Sequence, residues 1–373
     1  MVQDILCLYR KKLTNCNYYL TMPQPIRLLI AASGTGGHLF PALALAQQLP
    51  DYQIEWLGVP NRLEQTLVPK EYSLYTIPVE GFQGGFSLKT VKVLWGLVSS
   101  VFKVRKLLKQ HKIDVICTTG GYIAGPTVVA ARSLKIPVIL HEANFIPGKV
   151  TKLFASSFHT VALGFAGTAQ FLPKIKTVWV STPVRSPFLK PQTLDLPIPE
   201  DKTLIVIAGG SQGAVSVNQK IRPCVAAWVE AGAYIVHLTG NNDPEAETFS
   251  HPNYLALPFY DNMAGLLQRA DLAISRAGAG TLTELAVTQT PSILIPYPFA
   301  AEDHQRYNAK VFEEAGAAYV YAQKQLTAEG LEKAVLDLLR SPEELAKMAE
   351  AASSLAMIDS AEQLAQLVRQ AVE

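Results

Sequence analysis

A histidine behind a run of glycines is the first place in this chain where chemistry could be done. In Ser33-Gly34-Thr35-Gly36-Gly37-His38 the glycines keep the backbone uncrowded, and His38 carries the side chain that titrates nearest neutral pH. An apolar run with β-branched residues, 26–32, precedes it, and a Leu/Ala pattern at helical spacing, 39–49, follows with Pro41 expected in its first turn. Strand, glycine turn and helix in that order leave free N–H groups at a helix start, where an anion such as a diphosphate is favoured. A tight turn with no ligand is the competing reading. Leu39 stands where the dinucleotide fingerprint has its third glycine, and no GxxxxGK[ST] run occurs, so neither common nucleotide motif is met.

Further polar clusters follow other short apolar runs: Gly120-Gly121-Tyr122, Glu142-Ala143-Asn144, Gly209-Gly210-Ser211-Gln212-Gly213-Ala214, the segment from Arg276 to Glu284, and Asp303-His304-Gln305. Strands are expected at 26–32, 53–57, 74–77, 114–117, 137–141, 161–163 and 177–180, then again at 203–208, 234–238, 254–258, 272–275, 292–296 and 317–321. Helical patterns separate them. This βα rhythm predicts mostly parallel sheets whose ligands gather beyond the strand C-termini.

Five prolines between Pro183 and Pro199 interrupt the rhythm and read as a linker. The expected division is an N-terminal extension of unknown role (1–25), a first Rossmann-like domain (26–183), the linker (184–200), a second Rossmann-like domain (201–356) and a C-terminal helix (357–373). That helix either crosses back onto the first domain or packs on the second. The extension lacks the apolar core and cleavage site of a signal peptide. The fold class is therefore α/β, with two Rossmann-like domains facing a cleft.

With 373 residues, a net charge of +2 and 17% charged residues, total charge gives no reason to expect nucleic-acid binding. No apolar stretch is long enough to span a bilayer. Cys7, Cys16, Cys117 and Cys224 show no metal-ligand spacing, which fits a reducing compartment. The segment 86–112 is unusual: Lys89, Lys92, Lys103, Arg105, Lys106, Lys109 and Lys112 alternate with apolar residues including Trp95 and Phe102, without an acidic residue. Such a helix suits an anionic membrane surface, and equally a crossover helix with its lysines in water. Ahead of it, Gly81, Gly84 and Gly85 predict a mobile loop.

Taken in order, Gly34 to His38, Gly120-Gly121-Tyr122, His141 to Asn144, Pro183-Val184-Arg185, Gly209 to Ala214, Arg276 to Glu284, and Asp303-His304-Gln305 with Asn308-Ala309 resemble the bacterial N-acetylglucosaminyl transferases of peptidoglycan synthesis, over residues 26–370. The resemblance implies the glycosyltransferase B architecture and no metal or other cofactor. It implies inverting transfer of GlcNAc from UDP-GlcNAc to undecaprenyl-diphospho-MurNAc-pentapeptide (lipid I), forming lipid II. The protein would then be peripheral on the cytoplasmic face of the inner membrane, with other cell-wall synthesis proteins as partners.

Carried over residue by residue, the resemblance places Thr35, Gly36 and Gly37 near the phosphates, Asn144 near the transferred sugar, and Arg185 and Ser211 at the diphosphate. It places Tyr260 at the uracil, Ala279, Gly280, Thr281, Leu282 and Thr283 beneath the nucleotide, Glu284 on the ribose hydroxyls and Gln305 on the GlcNAc hydroxyls. Gly84, Gly85, Gly120, Gly121 and Tyr122 would bind the acceptor, while Lys89, Lys92, Trp95 and Phe102 would face the membrane. His38 is the expected general base for the acceptor 4-hydroxyl, with Glu142 and Asn144 as catalytic neighbours. Each has a blander alternative: Thr281 and Glu284 have capping-box spacing, and His38 could simply hold its turn. A UDP-GlcNAc 2-epimerase, a noncatalytic sugar-nucleotide-binding protein, or a glycosyltransferase acting on another lipid acceptor remain the alternatives to the lipid I reaction.

Overall fold

A computed structural model describes residues 25–79, 88–210, 213–246 and 248–373, and for 88–94 the backbone alone. Residues 1–24, Gly84, Gly85, Ser211 and the side chains of Lys89 and Lys92 lie outside the described residues, as does the rest of the 81–85 loop.

The first sheet contains β1 (Arg27–Ala31), β2 (Gln53–Gly58), β3 (Ser73–Thr76), β4 (Val115–Thr118), β5 (Val138–Glu142), β6 (Thr160–Leu163) and β7 (Thr177–Trp179). Their spatial order is β3-β2-β1-β4-β5-β6-β7, and every pairing is parallel. The second holds β8 (Leu204–Ala208), β9 (Tyr234–Leu238), β10 (Tyr254–Leu257), β11 (Leu272–Ser275), β12 (Ser292–Leu294) and β13 (Ala318–Val320), in the order β10-β9-β8-β11-β12-β13, again all parallel. Central strands covered on both faces must be apolar throughout rather than alternating. Leu28 to Ala31 in β1 and Leu204 to Ile207 in β8 are buried accordingly.

Strand order reverses between β1 and β4 in one sheet and between β8 and β11 in the other. Crevices beyond the strand C-termini open at those two points. The polar clusters read from the sequence follow these strands, so topology rather than spacing gathers them.

The first helix starts at Gly36, earlier than its apolar pattern suggests, and runs to Gln47. Pro41 therefore lies beyond the first turn, where its missing N–H leaves the Gly37 carbonyl without its helical partner. Segment 184–200 carries one short 3-10 turn, Ser186–Leu189, while Val184 and Phe188 bury themselves in the core of the second sheet. The terminal helix Ser360–Gln370 packs Leu364, Ala365, Leu367 and Val368 into the core beneath the first sheet. No helix among the described residues is long and apolar enough to cross a membrane.

Candidate active site

The turn after β1 is held from behind by Glu64, a fully buried carboxylate. It accepts hydrogen bonds from Ser33 Oγ at 2.6 Å, Val59 N at 2.6 Å and Gly34 N at 3.3 Å. Gly34 has φ +106°, so the backbone path requires glycine there, while a Cβ on Gly36 would sit 2.7 Å from the Phe40 ring and force that side chain to move. Glu64 escaped the sequence reading because nothing local distinguishes it from a solvated glutamate.

His38 Nδ1 lies 2.7 Å from the Thr119 carbonyl oxygen. A carbonyl can only accept, so Nδ1 carries a proton, and in the neutral ring Nε2 is the nitrogen with the free lone pair. The ring lies against Gly120 and Gly121, which hold φ of +89° and +75°. A Cβ at Gly121 would come within 3.8 Å of Nε2, so glycine there keeps the space beside that nitrogen open. Tyr122, next in the chain, is exposed.

Glu142 ends β5, and its oxygens are occupied within its own loop. Oε1 accepts from Asn144 N at 3.2 Å, and Oε2 from Gly148 N at 3.0 Å and Thr151 Oγ1 at 2.7 Å. Its geometry is that of a residue shaping the 142–151 loop. Asn144 Oδ1 accepts from Asn308 Nδ2 at 3.1 Å, and Asn308 Oδ1 accepts from Phe145 N at 2.9 Å, which ties this loop to the second sheet's side of the cleft. Phe145 also stacks on Tyr307. His141 donates Nε2–H to the Ser181 carbonyl, and burial pushes its pKa down to about 4, so it stays neutral beneath the loop.

On the opposite wall, Arg185 lies with its guanidinium 4.2 Å above the Phe40 ring and 3.7 Å from Glu284 Oε1. Its buried Nε has no hydrogen-bond partner among the described residues, so the guanidinium retains donor capacity. Desolvation raises the Glu284 pKa to about 7, with Arg185 opposing the rise. The helix carrying Glu284 is Ala279–Val287 with Gly278 at its N-cap, which puts Thr281 inside the first turn. Thr281 therefore does not cap it, and the capping-box alternative falls.

Ala279 and Thr283 are buried, Thr283 Oγ1 bonding the Ala279 carbonyl. The Leu282 side chain belongs to the second core, which leaves only its backbone near the turn. A Cβ on Gly280 would meet nothing within 4 Å, so packing does not demand glycine there. Gln305 Oε1 accepts from Ala277 N at 3.2 Å and Tyr297 N at 2.9 Å, which leaves its amide nitrogen for a ligand. The Tyr260 hydroxyl donates to Asp195 in the linker, and burial followed by that carboxylate pushes its pKa to about 12. Among the described residues, no group of three or more His, Cys, Asp or Glu could hold a metal ion.

Two doubly wound sheets facing one cleft, with glycine turns at both switch points and an arginine–carboxylate pair between them, define a glycosyltransferase of the B architecture. Residues 28–163 match the model of the glycosyltransferase family 28 N-terminal domain, and 204–364 that of its C-terminal domain. A Synechocystis sp. protein named UDP-N-acetylglucosamine--N-acetylmuramyl-(pentapeptide) pyrophosphoryl-undecaprenol N-acetylglucosamine transferase is 71% identical over 352 residues, 94% of this chain and 99% of the relative. A Gloeothece citriformis protein of the same name is 70% identical over 345 residues, 92% of this chain and 96% of its own. The crystal structure of Acinetobacter baumannii MurG superposes with a TM-score of 0.76 at 30% identity, covering 93% of this chain and all of that one. The chain belongs to this family of N-acetylglucosamine transferases.

Proposed function

We propose that this chain transfers GlcNAc from UDP-GlcNAc to the MurNAc 4-hydroxyl of undecaprenyl-diphospho-MurNAc-pentapeptide, with inversion, to form lipid II. The observation that carries the chemistry is the bare Nε2 of His38, held toward open space by the Nδ1–H bond to Thr119. That nitrogen takes the proton from the acceptor hydroxyl as its oxygen forms a bond to the anomeric carbon. The bond from that carbon to the diphosphate breaks, and UDP leaves.

Arg185, with donor capacity left over, and the N–H groups of the 209–214 turn neutralise the departing charge. Glu284 takes the ribose hydroxyls when ionised, and the free amide of Gln305 takes a sugar hydroxyl. The Glu142 loop positions Asn144 beside the transferred sugar. The acceptor occupies the side of residues 26–183, near Gly120, Gly121 and Tyr122, and the donor that of 201–356.

The helix Leu88–Gln110 docks on an anionic membrane. Trp95 and Phe102 are 72% and 68% exposed, with basic Lys103 and Lys106 beside them. This docking supports a peripheral position on the cytoplasmic face of the inner membrane, beside the lipid-linked acceptor and other cell-wall enzymes.

The deciding experiment incubates labelled UDP-GlcNAc with a lipid I analogue and wild-type, H38A or E284A protein. Label should enter lipid only with acceptor present. H38A should lose about 10²–10⁴-fold in kcat with UDP binding retained, while E284A should lose donor affinity. Turnover of UDP-GlcNAc without acceptor would favour an epimerase and overturn the proposal.

A further inference from the structure

Beneath the second glycine turn runs a chain of buried polar side chains that the transfer chemistry above does not use. His237 on β9 is fully buried, with Nδ1 2.9 Å from the Tyr254 hydroxyl and Nε2 3.1 Å from Asn218 Oδ1. Asn218, equally buried, reaches the Thr239 carbonyl at 2.9 Å and Asp243 Oδ2 at 2.7 Å through Nδ2. Arg222 Nη2 donates to the same Asp243 oxygen at 2.8 Å.

Only one arrangement of protons satisfies these contacts. A carbonyl and a carboxylate both need hydrogens from Asn218, which fixes its amide group there and leaves Oδ1 to accept. His237 must then donate from Nε2, so its Nδ1 accepts and the Tyr254 hydroxyl donates. Burial holds the imidazole neutral, its pKa pushed down to about 4. The polarity of the whole chain is set, from Tyr254 through His237 and Asn218 to Asp243.

What the chain holds in place is Thr239–Gly240. A Cβ on Gly213, which has φ +72°, would lie 2.8 Å from the Thr239 carbonyl oxygen and 2.9 Å from Gly240 Cα. Gly213 therefore rests directly on those two residues. Thr239 N and Gly240 N also bond the carbonyls of Leu257 and Pro258, which lead into Phe259 and Tyr260. Asn218 itself sits on Val215–Ile221, the helix that the turn opens.

We propose that His237, locked as the Nε2–H tautomer between Tyr254 and Asn218, is a positioning residue for the donor diphosphate. It orients Asn218 so that Thr239–Gly240 stay pressed beneath Gly213, just ahead of the helix Val215–Ile221 on the donor side of the cleft. This rests on the assignment of the 209–214 turn to the donor. Every member of the chain belongs to the second sheet and its connections, so acceptor binding is not part of its role.

The experiment measures UDP affinity by calorimetry, donor and acceptor KM, and thermal midpoint for wild type, H237L, H237Q and Y254F. Gln can accept from Tyr254 and donate to Asn218, whereas Leu can do neither. H237L should bind UDP about tenfold more weakly and raise donor KM to match, as expected when one link of a buried network fails. Acceptor KM should stay within about twofold in both His237 variants, H237Q should recover most of the affinity, and Y254F should lose about threefold. A folded H237L that binds UDP as wild type does, or H237L and H237Q equally weak, would overturn the proposal. Should H237L fail to fold, Y254F decides: unchanged UDP affinity overturns the proposal and weakened affinity supports it. Wild-type protein that binds no UDP at all would instead overturn the donor assignment beneath it.

Discussion

Arg369 grips Asp51 through two hydrogen bonds, 2.6 Å and 2.7 Å, although 318 residues separate them in the chain. The same guanidinium lies 5.1 Å above the Tyr52 ring. This pair marks where the chain, having built the second sheet, returns to close the core of the first.

The pair itself is half in water, so it contributes only about 0.2–1 kcal/mol. The buried Leu364 and Val368 behind it do more, since truncating such a side chain costs roughly 2–5 kcal/mol. In denaturant titrations, Leu364→Ala should lower stability by about that amount. Asp51→Ala should lower it by no more than about 1 kcal/mol, and equal losses would contradict this division.

Glu284 makes stability depend on pH. The folded protein holds its proton up to about pH 7, whereas an unperturbed glutamate releases it near 4.5. Between those values the native state binds more protons than the unfolded chain, so this group's contribution falls as pH rises and is lost above about 7. Glu284→Gln removes the effect and should gain stability over wild type by roughly 1–3 kcal/mol on going from pH 5 to pH 8. UDP should also bind wild type more weakly below neutrality, as the carboxylate that accepts from the ribose is lost, while the Gln variant shows a flatter profile. Equal pH slopes in denaturation would remove the buried-carboxylate account.

Asn308 bonds both Phe145 N and Asn144 Oδ1 from across the cleft. Asn308→Ala strands a backbone N–H and should cost about 1–3 kcal/mol of stability. With Asn144 loosened beside the sugar, kcat should fall about tenfold to a hundredfold. UDP affinity, which depends on other residues, should stay within about twofold of wild type. Single-turnover kinetics and calorimetry on the same preparation check both parts.

Trp95 and Phe102 offer large apolar surface with nothing to cover it among the described residues. Burying one aromatic ring is worth about 1.5–3 kcal/mol, so a Trp95→Ser, Phe102→Ser double variant should lose most binding to vesicles containing anionic lipid. Its affinity for UDP should not change. Flotation that leaves the double variant with the vesicles would dismiss this helix as the membrane contact.

The two sheets were legible from the sequence because apolar β-branched runs and glycine turns are local signals. The strands from β1 to β13 fall within a residue or two of where those runs predict them. The turn at Gly34 was legible for the same reason, since its neighbours in sequence are its neighbours in space. The start of the first helix was not, because Gly36 and Gly37 carry no apolar side chain to mark it. Thr281 and Glu284 show the limit of spacing: the same interval serves a cap or a ligand contact, and only the N-cap at Gly278 separates them.

The sequence by itself determined where the strands, turns and chemically capable side chains lie. Only the tertiary structure decided which nitrogen of His38 is free, that Glu142 is occupied with its own loop, that Glu64 holds the first glycine turn, that His237 joins Tyr254 to Asn218, and where the last helix docks. Apart from Glu142, whose partners lie in its own loop, those outcomes depend on hydrogen bonds and packing between residues far apart in the chain. No local propensity encodes such partners, which meet only once the sheet that carries them has formed.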